Sequence, residues 1–324
     1  MGRRPKVIDL FAGAGFFSYG FQREGYELTC AVELDSMAAA TYAKNLGHGV
    51  ICEDVLKVEP FGRCDVLLAG PPCQGFSTLG KRDPNDPRNS LGLAVLPWVH
   101  TCRPSVVVVE NVAIFLDSPV AQELRCRLSD AGYEVDAVVV NAADFGVPQY
   151  RQRSFIVASR CGMPAIQPAQ RTEPTTVRQA WRGVPPSPDG VNWHCAPRPS
   201  LLAKARMRVV PLGGDKRDIM RNAPELAPPS WWRFPGAVTD VWGRMHWDAP
   251  SNTLRTAFQN PSKGRYIHPE QDRVITIREA ARLQSVPDSY EFCGLPTQVA
   301  RQVGNGVPPN LAMAIARAIK DTTF

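Results

Sequence analysis

The chain has 324 residues, of which 44% are hydrophobic and 21% charged, as in folded globular proteins. These proportions exclude disordered, collagen-like and disulfide-scaffold classes, and the length suits about two domains. The sequence contains no apolar run near the roughly 18 residues of a membrane span, and its first residues contain no secretory hydrophobic segment. We therefore expect a cytoplasmic protein without a membrane anchor.

The cysteines and the net charge narrow the chemistry further. Nine cysteines are scattered without any Cys-x-x-Cys pair, which predicts reduced thiols and no metal site. The net charge of +6 permits a polyanionic partner without requiring one.

The first half of the chain alternates strand and helix patterns. Nearly all-apolar runs predict strands buried on both faces of a parallel sheet, at Val7 to Phe11, Leu28 to Glu33, Cys64 to Gly70 and Ser105 to Asn111. Helical patterns predict helices at Asp35 to Leu46, Ser118 to Ala131 and Pro309 to Lys320, with Asp35, Ser118 and Asn310 or a neighbour as N-caps. This order predicts an α/β fold with a doubly wound, mostly parallel sheet, in which ligands bind at the carboxyl ends of the strands.

The character of the chain changes after Arg160. Prolines cluster there, strand and helix no longer alternate, and the segment from Gly183 to Val191 is predicted to be a loop. From Ala196 to Arg233 eight basic residues stand against three acidic ones, close to five of the seven tryptophans. We expect a smaller, irregular second domain that carries most of the net charge.

The first strand runs into a glycine loop, DLFAGAGFFSYG. Gly13 and Gly15 allow a tight turn and close approach to a ligand, before a helix that begins near Phe16. The spacing differs from the dinucleotide fingerprint G-x-G-x-x-G, which favours another nucleoside-type ligand. Glu33, after the second strand, could accept from ribose hydroxyls, and Asp54, in GVICED (Gly49 to Asp54) at the end of a short third strand, from an adenine amino group. Tight turns and helix caps without a ligand remain an alternative at this point.

The fourth strand ends in AGPPCQGFS, which singles out one thiol. Pro71 and Pro72 stiffen the backbone before Cys73, and Gly75 allows a sharp turn after it. This setting predicts a reactive thiol at the rim of the sheet, whereas the other cysteines are predicted to be small apolar residues.

The fifth strand ends in VVVVENV, which brings Glu110 and Asn111 to the same rim. A carboxyl group that follows four valines is expected to be partly desolvated, which favours its protonated form. A thiol and a proton-holding carboxyl group would then face each other, although a helix-capping glutamate is the simpler alternative.

At this point the chain resembles the cytosine-C5 DNA methyltransferases of bacterial type. Its motifs stand in the family's order from end to end: DLFAGAG, Glu33, Asp54, GPPCQGFS, ENV, QYRQR (Gln149 to Arg153), REAARLQSVPDSYEF (Arg278 to Phe292) and QVGNGVPP (Gln302 to Pro309). The resemblance leaves only about residues 166–242 without a counterpart, where the family varies its target recognition.

The resemblance implies a cofactor, S-adenosylmethionine, and a set of site residues. The implied catalytic residues are Cys73, Glu110, Arg151 and Arg153. The implied cofactor contacts are Phe11, Gly13, Gly15, Phe17, Glu33, Leu34, Asp54, Pro72 and Asn305. The implied DNA contacts are Gln74, Ser77, Arg88 and Thr253, with Arg88 in a lid-like loop from Gly80 to Ser90.

The resemblance also implies a reaction and its partners. Cys73 would add to carbon 6 of a cytosine flipped out of a short site in double-stranded DNA, while Glu110 supports protonation at N3. A separate cognate restriction endonuclease is a further partner, and a monomer is expected. The implied segments are 1–165 for catalysis and cofactor, 166–295 for target recognition, and 296–324 returning to the catalytic domain.

The chain departs from the family pattern at one position. Phe16 stands where the family usually has a second glycine, and we expect its side chain to narrow the space near the methionine part of the cofactor. Phe17 is expected to pack on the adenine.

Three alternatives remain open on the sequence alone. They are an RNA cytosine methyltransferase on the same scaffold, a catalytically silent DNA-binding regulator, and a small-molecule methyltransferase. The nucleophile loop resembles the DNA branch more closely than the RNA branch, all four implied catalytic residues are present, and a small-molecule enzyme would have no use for the basic segment.

Overall fold

A seven-stranded sheet forms the centre of the first part of the chain. The computed structural model describes residues 3–47, 49–72, 87–168, 173–233, 236 and 239–324, without the side chains of 87–89. The strands are β1 (Lys6–Leu10), β2 (Glu27–Val32), β3 (Val50–Ile51), β4 (Val66–Ala69), β5 (Val106–Asn111), β6 (Glu134–Asn141) and β7 (Gln152–Ser159). Their order across the sheet is β3-β2-β1-β4-β5-β7-β6, and only β7 runs antiparallel to its neighbours. The predicted mostly parallel α/β sheet is confirmed.

Helices accompany the strands and continue beyond them. In the described residues they are α1 (Phe16–Arg23), α2 (Ser36–Leu46), α3 (Val95–Cys102), α4 (Pro119–Asp130), α5 (Val177–Ala180), α6 (Leu201–Val209), α7 (Lys216–Asn222), α8 (Pro229–Arg233), α9 (Ile277–Leu283), α10 (Pro296–Asn305) and α11 (Pro309–Thr323).

Burial on both faces explains the apolar strands. Every residue of β4 and β5 is buried. One face of the sheet packs with Trp98 of α3 and Leu124 of α4 in a common core. On the opposite face the ring of Phe155 meets Phe17 of α1, because side chains alternate along a strand.

Side-chain caps mark the start of two helices as predicted, and a third predicted cap is not present. The Asp35 side chain accepts hydrogen bonds from the amides of Met37 and Ala38, and Ser118 accepts one from Ala121, as predicted. The predicted side-chain cap at Asn310 or a neighbour is wrong, because the N-cap position of α11 is Pro308, which has no side-chain hydrogen bond to offer, although the predicted start at Pro309 is right. Proline suits the first helical position because its missing N–H has no intrahelical partner there.

Contacts divide the chain into two compact units. The first unit comprises Met1–Gly146, Gln152–Thr172 and Gly306–Phe324, and the second comprises Val147–Arg151 and Glu173–Asn305. The described part of the second unit contains short helices and isolated β-bridges but no extended strand, so the predicted loss of alternation is confirmed. Its core includes Met207, Ile219, Trp242 and Ile267. The functional assignment of the segments stays a prediction.

Two further observations concern the predicted loops and spans. The first seven residues of the polar loop predicted from Gly80 to Ser90 lie outside the described residues, and its last four belong to a 3₁₀ helix, Pro87–Ala94. Within the described residues no helix is long and apolar enough to cross a membrane.

Candidate active site

The glycine loop after β1 turns with three left-handed residues. Phe11, Gly13 and Gly15 have φ angles of 58°, 56° and 87°. The Glu33 carboxylate holds this loop, because Oε2 accepts the Gly13 amide at 2.7 Å and Oε1 accepts the Asp35 amide at 2.7 Å. Burial raises the pKa of Glu33 above its usual value, and these two amide hydrogen bonds oppose the rise.

The loop has the space and acceptors that a nucleoside needs. A side chain at Gly13 would meet no atom within 4 Å, so open space lies beside the loop. A carboxylate oxygen can accept more than one hydrogen bond, so the Glu33 carboxylate suits the two hydroxyls of a ribose. Asp54 is half-buried and accepts from the Leu56 amide at 3.0 Å. The residues present therefore fit S-adenosylmethionine.

The apolar residues predicted to contact the cofactor differ in exposure. Leu34 is 69% exposed and Phe11 is half-buried, so both present apolar surface. Phe17 is 5% exposed and packs edge-on against Phe21 and Phe155. The Phe17 ring is therefore largely covered by neighbouring residues, and the role expected for it at the adenine stays a prediction. Phe11 has the exposed surface that such a role requires.

The segment before the predicted nucleophile is tied to β5. Asn111 donates from its side-chain amide to the Pro71 carbonyl oxygen at 3.1 Å. Pro72 is half-buried, and Cys73, Gln74 and Ser77 lie outside the described residues. The side chain of Arg88 also lies outside them, so the roles predicted for these four residues stay predictions.

Glu110 is buried at the end of β5 and paired with Arg153. Arg153 Nε lies 2.9 Å from Glu110 Oε1, and the two side chains are 14% and 11% exposed. A Cβ atom added at Gly70 would lie 3.7 Å from Glu110 Oε2, so the carboxyl group reaches the backbone that leads toward Pro71. The sequence predicts a carboxyl group that favours its protonated form, whereas the adjacent guanidinium favours the charged form.

Arg151 is the other arginine of the QYRQR motif, and its hydrogen bonds join segments within the second unit. It is 1% exposed and donates to the carbonyl oxygens of Leu254 at 3.1 Å and Gly304 at 2.9 Å. Thr253 donates its hydroxyl to the Tyr150 carbonyl oxygen at 2.7 Å, and Asn305 is exposed at the end of α10. The structure therefore gives Arg151 a structural role, in addition to which a catalytic one stays a prediction.

Many cations of the basic segment are already engaged within the second unit. Arg206 lies over the rings of Trp231 and Trp242, 5.4 and 5.2 Å from their centroids. Ion pairs join Arg208 to Asp272, Arg217 to Asp215 and Arg221 to Asp218. In the part of the segment that the structure describes, Arg198, Lys204 and Arg233 are exposed and have no ion pair. Fewer cations can contact phosphates than the charge count indicates.

One buried polar group, the Asp9 carboxyl group, was not predicted from the sequence. Asp9 of β1 is 1% exposed, accepts from the Ser18 hydroxyl at 2.6 Å, and Tyr42 donates to Ser18 at 3.0 Å. An acid inside the apolar run VIDLF was the available signal, because a buried carboxyl group requires hydrogen-bond partners.

Comparisons with known proteins give a consistent result. The family model for C-5 cytosine-specific DNA methylases matches residues 5–321. The Type II methyltransferase M1.HphI of Haemophilus parahaemolyticus is 36% identical over 96% of this chain and 86% of its own length. The Type II methyltransferase M.NgoFVII of Neisseria gonorrhoeae is 32% identical over 98% of this chain and 86% of its own.

A solved structure has a similar fold. It is an E. coli prophage-encoded protein, solved as a candidate DNA modification methyltransferase, with a TM-score of 0.71 and 26% identity over 98% of this chain and 99% of that one. The chain belongs to the family of C-5 cytosine-specific DNA methylases and is a DNA (cytosine-5-)-methyltransferase whose methyl donor is S-adenosylmethionine.

Proposed function

We propose that this enzyme methylates carbon 5 of a flipped cytosine in a specific, short double-stranded DNA site, through a transient bond between Cys73 and carbon 6. The observation that carries the proposal is the buried pair of Glu110 and Arg153 at the end of β5. The next residue, Asn111, holds Pro71, which precedes Cys73 by two positions in the chain.

The sulfur of Cys73 starts the reaction as a nucleophile. Its thiolate forms a bond to carbon 6, and the electron pair of the 5–6 double bond moves into the ring toward N3. A free thiol is only a few per cent ionised at neutral pH, so positive charge near the loop assists this step. Carbon 5 becomes nucleophilic as a result.

Glu110 acts at N3 of the cytosine, whereas Cys73 acts at carbon 6. Its carboxyl group hydrogen-bonds N3 and supports the proton there while charge develops. Arg153 holds Glu110 in place through the 2.9 Å ion pair. Bound S-adenosylmethionine supplies the methyl group to carbon 5. The carbon 5 proton then passes to solvent water, the Cys73 thiolate leaves carbon 6, and the proton on N3 passes to Glu110, which restores the double bond and the neutral ring.

The DNA contacts combine phosphate binding with fewer base contacts. The exposed cations Arg198, Lys204 and Arg233 bind phosphates, which makes the affinity fall with salt. Gln74, Ser77, Arg88 and Thr253 contact the flipped nucleotide and its surroundings. The enzyme works as a monomer, and a cognate restriction endonuclease acts separately on the same site.

A mechanism-based DNA tests this proposal. A duplex library that carries 5-fluorocytosine should trap a covalent complex in the presence of S-adenosylmethionine, because fluorine cannot leave as the proton does. Cys73→Ser should abolish the adduct and retain DNA binding, while the exposed-thiol control Cys126→Ser should form it normally. Glu110→Gln should slow transfer by about 10² to 10⁴.

The outcomes separate the alternatives. Bisulfite sequencing of a host that otherwise lacks cytosine methylation would reveal the target site. An adduct that persists in Cys73→Ser would refute the nucleophile, and adduct formation on RNA but on no DNA would refute the substrate.

A further inference from the structure

Phe16 does not occupy the space expected for it. The ring is 1% exposed, at the first position of α1 directly after Gly15. It lies against Gly306, because a Cβ atom added at Gly306 would be 2.2 Å from Phe16 Cδ2 and 2.9 Å from Cε2. Real side chains do not approach so closely, so the Phe16 ring can occupy this position only because residue 306 has no side chain.

Gly306 stands at the start of the segment that leads into α11. Val307, Pro308 and Pro309 follow it, all buried, and the two prolines restrict the backbone there. A contact that fixes Gly306 therefore fixes a stiff piece of chain. This piece belongs to QVGNGVPP, one of the two most specific motifs of the chain.

Helices α1 and α11 also contact each other further along their length. A Cβ atom at Gly20 would lie 2.4 Å from the Cβ of Ala312 and 2.8 Å from the Met313 amide nitrogen. The Tyr26 hydroxyl donates to the Ala316 carbonyl oxygen at 2.8 Å. The packing of α1 on α11 thus has two glycine contacts, of which only that at Gly306 adjoins the glycine loop.

We propose that Phe16 is a positioning residue for the methyl donor. By filling the space over Gly306, its ring fixes residues 306–308 against the loop that contains Gly13 and Gly15. The inference rests on the cofactor site described above, and it assigns to a departure from the family pattern a constructive role. It replaces the expectation that Phe16 merely narrows the pocket.

A double-mutant cycle on cofactor affinity tests the role. Gly306→Ala should weaken binding of S-adenosylmethionine to the apo enzyme, measured by calorimetry, by about tenfold or more, because the new methyl group collides with the ring. Phe16→Ala should also weaken it. Phe16→Ala with Gly306→Ala should bind within about threefold of Phe16→Ala alone, because the collision is gone.

Gly20→Ala is the matched control. Its Cβ atom collides equally closely in the same helix pair but one turn away from the loop, so it should lower Tm as Gly306→Ala does and leave the affinity unchanged. Gly49→Ala, where a Cβ atom meets nothing within 4 Å, should change neither. Phe16→Leu serves if Gly306→Ala does not fold, and it should raise KM for the cofactor while kcat at saturation is kept.

Two results would overturn the inference. One is an affinity that Gly306→Ala and Gly20→Ala leave equally unchanged. The other is a double variant that binds S-adenosylmethionine more than about threefold more weakly than Phe16→Ala alone. Formation of the 5-fluorocytosine adduct at saturating cofactor is independent of these variants, so its failure would concern the proposed function instead.

Discussion

The buried Asp9 carboxyl group makes the stability of the enzyme depend on pH. Burial raises its pKa from 3.8 to about 7, the hydrogen bond from Ser18 opposes the rise, and the charge of Glu33 adds to it. The native carboxyl group therefore keeps its proton up to near-neutral pH, whereas the unfolded one loses it near pH 4. Asp9→Asn is the perturbation that removes this titration.

The sign and size of the effect follow from the two pKa values. A raised pKa contributes stability that is fully present below pH 3.8 and is lost as the pH rises through about 7. The separation of about three pKa units corresponds to about 4 kcal/mol in total, at about 1.4 kcal/mol per unit. Between pH 5 and pH 8 the free energy of unfolding of the unsubstituted chain should fall by about 2 to 3 kcal/mol relative to that of Asp9→Asn.

Urea unfolding at pH 5, 6, 7 and 8 measures this difference. The free energy of unfolding of the native chain minus that of Asp9→Asn should fall steadily to pH 7 and then level off. The exposed Asp136 on β6 provides the control, because Asp136→Asn removes a carboxyl group without changing a buried one. A difference that stays constant from pH 5 to pH 8 would refute the assignment of this titration to Asp9.

Other predictions concern charged groups elsewhere. Arg153→Ala should lower the free energy of unfolding by about 3 to 5 kcal/mol because it leaves the Glu110 carboxylate buried without its cation, and adding Glu110→Gln should recover part of this loss. No recovery in urea unfolding would contradict the pairing. Lys204→Ala should lower the slope of log affinity against log salt by about 1, whereas Arg217→Ala, whose guanidinium pairs with Asp215, should change it less. Equal slopes in DNA titrations from about 50 to 200 mM salt would refute this distinction.

Local signals in the sequence are sufficient to predict the parallel strands of the first half of the chain and the starts of a few helices. The strand at Ser105 could be predicted because its four consecutive valines bury both faces of a strand, and the strand at Val7 because its residues are apolar except for Asp9. The caps at Asp35 and Ser118 could be predicted because a side chain there reaches amides only two or three residues away. The cap expected at Asn310 failed because two prolines start α11 instead.

Contacts between distant residues could not be predicted in this way. The sequence places Phe16 next to Gly15, but only the fold brings it to Gly306, 290 positions later. The count of basic residues likewise does not tell that Arg208 is paired with Asp272 while Lys204 is exposed. Charge and composition limit the class of partner, and the pairing of each cation depends on tertiary structure.

Because β7 runs antiparallel to β5, the geometry at the carboxyl end of β5 does not depend on the number of residues that connect the two strands. Because β7 returns antiparallel to β5, with Glu110 opposite Phe155 and Asn111 opposite Ser154, the beginning of β7 meets the end of β5. The pairing of β5 with β7 holds Arg153 beside the Glu110 carboxylate, whatever the conformation of the residues between the two strands. Insertion or removal of residues in the exposed turn at 131–132 should therefore leave this pair in place.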